Sequence, residues 1–79
     1  MNEEELKDLV SSNLCLLTTA QKLRDKNNTY SSIFMKLDYI CTKLNESYRI
    51  SYQMLLDKHY NGKEEELRDF LDQGLKKQN

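Results

Sequence analysis

Seventy-nine residues, 38% hydrophobic and 32% charged, suffice for one small domain but not for a core plus an enclosed catalytic pocket of about 300 Å³ or more. A formal net charge of −1 excludes a general electrostatic pull toward nucleic acid or an anionic membrane. No run of about 18 apolar residues exists, which excludes a transmembrane helix, and the acidic start Met1-Asn2-Glu3-Glu4-Glu5 does not read as a secretory signal.

With no Pro and only 2 Gly there are few helix breakers, and the abundant Leu, Lys, Glu and Gln lose little rotamer freedom in a helix. Two Cys fall short of a disulfide framework, so the expected setting is a reducing, cytoplasmic interior. In that setting the two patterns Asn27-Asn28-Thr29 and Asn45-Glu46-Ser47 read as chance matches to a glycosylation acceptor.

Three helices are predicted in chain order. The first covers about residues 3–26. Asn2 or Glu3 opens it, Glu3, Glu4, Glu5 and Asp8 suit the positive end of the helix dipole, and Lys22, Arg24 and Lys26 suit the negative end. At about 100° per residue, Leu6, Leu9, Val10, Leu14, Leu16, Leu17, Ala20 and Leu23 share one broad face, with Asn13 at its centre.

The second helix follows the turn-prone pair Asn27-Asn28, with Thr29 or Ser31 as N-cap, and covers about residues 29–60. In heptads, Tyr30, Leu37, Leu44 and Ser51 take one seam position and Ile33, Ile40, Ser47 and Met54 the other. Asn61-Gly62 ends this helix. The third, residues 63–77, starts with Glu64, Glu65 and Glu66 and carries the stripe Leu67, Phe70, Leu71 and Leu75. Gly74 within that stripe either allows close approach of another helix or is a tolerated glycine near a fraying end.

The expected fold is therefore all-α: one helical domain over residues 1–79, an antiparallel hairpin with a third, shorter helix, bundle-like and open to oligomerisation. With the turn centred near Asn28, Asn13 is expected level with Leu44, and Leu6, Leu9 and Val10 level with Ser47, Tyr48 and Ser51. The third helix is expected on the second half of the second, with Leu67 near Leu56, Phe70-Leu71 near Tyr52 and Leu75 near Tyr48. The competing arrangement swings it out to a partner.

No pattern of catalytic or metal-binding chemistry appears. His59 is the only histidine, it lacks Cys or Glu partners at ligand spacing, and it reads as a surface residue near a helix end. Cys15 points about 180° from the Leu6 face while Cys41 borders the seam, which argues against a disulfide between them. Adjacent Glu64, Glu65 and Glu66 diverge around a helix and cannot converge on one ion. The densest basic cluster, Lys22, Arg24 and Lys26, is interrupted by Asp25.

The remaining signal is apolar surface. Met35, Tyr39 and Ile50 lie within about 60° of one another, opposite the main seam of the second helix. On a domain this small, such a stripe reads as a docking surface. The expected function is a non-enzymatic protein–protein interaction module, a small subunit, adaptor or chaperone of a larger assembly. It would bind a helical protein partner or a second copy of itself through Met35, Tyr39, Ile50, Cys15, Leu6 and Leu9. No cofactor, metal or small-molecule substrate is expected. The alternative is a small nucleic-acid-associated regulator acting through the Lys22–Lys26 end.

Overall fold

The computed structural model describes residues 1–77 and contains three helices: α1 (Glu3–Asp25), α2 (Ser32–His59) and α3 (Glu64–Lys77). The described residues contain no strand, and none of the helices is long and apolar enough to cross a membrane. Residues 78 and 79 of the expected domain lie outside the described part.

Asn2 opens α1 through a capping box. Its side-chain oxygen accepts from the Glu5 backbone N–H at 2.8 Å, and its own N–H donates to the Glu5 carboxylate at 3.1 Å. Ser31 rather than Thr29 caps α2, its hydroxyl accepting from the Phe34 N–H at 3.1 Å. Helix α2 thus starts three residues later than expected. The intervening chain is held by local bonds instead: Asn27 Nδ2 donates to the Leu23 carbonyl, and Asn28 Oδ1 accepts from the Tyr30 N–H. Between α2 and α3, Gly62 takes φ +80°, a conformation that costs a glycine little.

Helices α1 and α2 form the antiparallel hairpin, but the register differs from the expected one. Asn13 reaches Ser47 and Ser51 rather than Leu44, Leu17 and Ala20 cluster with Cys41 and Leu44, and Arg24 pairs with Asp38 at 3.0 Å. The partners lie about six residues further along α2 because the chain does not fold back at Asn28. Lys26 continues in right-handed helical conformation, and the first turn of α2 overhangs the end of α1.

The main core lies at the opposite end of the hairpin. Leu6 and Val10 of α1, Leu55 of α2, Tyr60, and Leu67 and Leu71 of α3 are buried together, with Leu14, Tyr48, Tyr52, Met54, Leu56 and Phe70 packed around them. Burying each Leu-sized side chain contributes about 1.5–3 kcal/mol. Helix α3 therefore lies on both α1 and α2, not on α2 alone. Phe70 in particular sits beneath Lys7 of α1, whose Nζ is 4.9 Å from the ring centroid. Full burial of Leu67 rules out the swung-out arrangement in this fold.

Gly74 does not serve close approach, since a Cβ placed there would meet no atom within 4 Å. His59 is not a plain surface residue. It is half-buried, and its Nε2 is enclosed with no hydrogen-bond partner.

Candidate functional site

Two of the helix faces created by this packing carry apolar side chains that no element covers. The first is the outer ridge of α2. Heptad geometry turns Leu44, Tyr48, Ser51 and Leu55 toward α1 and α3, so side chains half a turn away face outward. Met35, Tyr39 and Ile50 occupy that outer ridge and are 66%, 64% and 65% exposed. Lys43 lies over the Tyr39 ring at 5.5 Å from its centroid and also pairs with Glu46 at 3.8 Å, so the middle of the ridge is polar.

The second is the side of the hairpin turned away from α3. Leu14 and Lys7 lie on the flank of α1 that meets α3, and Tyr48, Tyr52 and Leu56 on the matching flank of α2. The opposite flanks carry Leu9, Leu16 and Leu23 on α1 and Ile33 and Ile40 on α2, all exposed. The heptad pattern puts Ile33 and Ile40 at seam positions and Leu23 on the broad apolar face of the first helix, yet all three stay open. The apolar arc of each helix is wider than the contact between two helices, and α3 covers only one of its edges.

The six residues expected to bind a partner do not form one site. Met35, Tyr39 and Ile50 share the ridge. Leu9 is exposed, but on the open hairpin face rather than beside them. Cys15 is half-buried, Cys41 is buried, and the two do not form a disulfide. Leu6 is corrected outright: it is 0% exposed inside the core with Leu55 and Leu67, because the actual register sets it under the end of α2. No local signal marks the second face, since Leu9, Leu16 and Leu23 repeat every seven residues just as the buried Val10 and Leu17 do.

The polar groups are mostly engaged. Arg24 donates to Asp25 at 3.1 Å and Asp38 at 3.0 Å, and these two carboxylates hold its pKa above the ordinary guanidinium value. The charge in the middle of the basic cluster is thus already paired. Glu64 accepts from Arg68 at 3.0 Å and from the Tyr52 hydroxyl at 3.3 Å, at the rim of an open groove of about 550 Å³ between α2 and α3. Among the described residues no three His, Cys, Asp or Glu side chains gather as a metal site. Tyr60 beside Lys7 raises the lysine pKa, with Glu3, 4.0 Å away, adding to the effect.

Compared with family models, curated proteins and solved structures, the chain shows no match to any of them.

Proposed function

We propose that the chain is a non-enzymatic helical interaction module, a small subunit, adaptor or chaperone of a larger assembly. It works by laying an apolar helix face against a helix of another polypeptide. The observation that carries this reading is the outer ridge of α2. After the three helices have buried Leu6, Leu55 and Leu67, the ridge residues Met35, Tyr39 and Ile50 remain about two-thirds exposed. Exposed apolar side chains are ordinary singly; here Met35 and Tyr39 stand at the i, i+4 spacing of helix-on-helix anchors, and Ile50 lies on the same face eleven residues further on, beyond the polar Lys43 and Glu46.

A photo-crosslinking residue in place of Tyr39, installed in the protein in its own cells, tests this. The expected result is repeated capture of one defined polypeptide, lost when Ile50→Asp is added while the helical circular dichroism stays unchanged. Diffuse capture of many unrelated proteins, or capture indifferent to Ile50→Asp, rejects the ridge as the recognition surface.

A further inference from the structure

The open hairpin face, unlike the ridge, carries an unbroken seam-like line of side chains. Its line on α1 runs Glu5, Leu9, Ser12, Leu16, Thr19, Leu23, Lys26, stepping alternately by four and three residues as a helical seam does. Its three leucines are evenly spaced. Leu16 is its midpoint, Leu9 and Leu23 lie seven residues to either side, and the small hydroxyl residues Ser12 and Thr19 fall between. An acid ends it on one side and a base on the other. Turned about a two-fold axis through Leu16, one copy of α1 sets Leu9 opposite the other's Leu23 and brings Glu5 within one residue of the level of the other's Lys26. A two-fold contact requires a surface that complements itself, and here leucine meets leucine while the acidic end of one copy lies against the basic end of the other.

The elongated chain has surface enough for such a contact. The chain exposes 5827 Å², about 800 Å² more than the roughly 5,000 Å² expected of a monomeric protein of 9.4 kDa. A standard protein–protein interface buries about 800 Å² per partner. Ile33 and Ile40 of α2 flank the α1 line on the same open side and would widen the buried patch.

We infer that this face is the interface of a homodimer, in which α1 packs antiparallel on α1 of a second copy about a two-fold axis at Leu16. The inference rests on the reading of exposed apolar surface as association surface, and it leaves the outer ridges of α2 free for another partner.

Sedimentation velocity and native mass spectrometry over a range of concentrations test it with the native chain and substitutions at Leu16 and on the ridge. The native chain is expected to be a dimer. Leu16→Lys and Leu16→Glu, at a half-exposed position, are each expected to keep native helical content and to weaken dimerisation by at least tenfold. Because position 16 meets itself across the axis, mixing the two variants should restore a dimer containing one of each. If either variant loses helicity, Leu16→Ala takes its place as the uncharged disruption. A native chain that stays monomeric at every concentration overturns the proposal, and so does a mixture that remains monomeric. A dimer unaffected at position 16 but dissociated by Tyr39→Asp with Ile50→Asp overturns the proposed axis while upholding the ridge as an association surface.

Discussion

Asn13 shows how one polar side chain fixes a seam that apolar residues leave undecided. Its Nδ2 donates to the Ser51 hydroxyl at 3.1 Å and to the Ser47 carbonyl at 3.4 Å, and the Ser51 hydroxyl in turn donates to the Ser47 carbonyl at 2.9 Å. Ser51 is buried at only 3% exposure, so sliding the helices would leave its partner without a bond inside the seam. His59 is the opposite case, a nitrogen enclosed without any partner. Leaving a buried polar atom unpaired costs about 1–3 kcal/mol. His59→Leu should therefore raise stability, by about 1 kcal/mol, seen as a higher urea midpoint with an unchanged slope. An unchanged or lowered midpoint would show that His59 has a compensating partner. The exposed reading of His59 failed because it considered only the helix end, whereas the flanking Leu55 and Tyr60 draw that turn into the core.

Helix identity was legible residue by residue, because caps and charges act locally. Asn2 with Glu5, Ser31 with Phe34, and the acidic starts of α1 and α3 are signals carried by neighbouring residues. Register was not legible. A pattern that repeats every three or four residues fits its partner at several offsets, and the choice falls to pairs distant in the chain, such as Asn13 with Ser51 and Leu6 with Leu55. The same limit hid the open hairpin face, since only the placement of α3 decides which edge of each apolar arc stays uncovered.

Within α3, Gly74 carries helix cost without any packing return, as a Cβ there meets nothing within 4 Å. Gly74→Ala should stabilise the fold by about 0.5–1 kcal/mol, raising the thermal midpoint by a few degrees, as about 4–8 °C per kcal/mol is typical of small domains. A lowered midpoint would mean that the glycine serves a contact. Where α2 meets α3, burial raises the Tyr48 pKa above its ordinary value, with Tyr52 and Asp72 adding negative potential. The folded state then holds the phenolic proton more tightly than the unfolded chain. This contribution is fully present below the ordinary tyrosine pKa of about 10 and is lost as pH rises through the higher folded value. Tyr48→Phe should flatten part of the fall in stability above about pH 10, measurable by urea titration at a series of alkaline pH values. An unaltered alkaline slope would assign the loss to other groups.

The molecule as a whole is a rod weighted at one end. It measures 42 × 23 × 19 Å, with a radius of gyration of 14.1 Å against about 12 Å for a compact chain of this length. At the α3 end, three helices close around Leu6, Val10, Leu55, Leu67 and Leu71, while the loop end is held by the smaller cluster of Leu17, Ala20 and Cys41 and by the exposed Arg24–Asp38 pair. Exposed ion pairs contribute about 0–1 kcal/mol, so the two ends differ mainly in buried apolar surface. Local opening follows that gradient. Native-state hydrogen exchange should therefore find the slowest amides around Leu6, Val10 and Leu55 and much faster exchange in residues 20–25 and 32–38. Raising the protein concentration should slow exchange in residues 9–23, because a second copy on the open face protects only the associated form. Uniform protection along the hairpin would contradict the gradient, and protection indifferent to concentration would deny the open face a second copy as its cover.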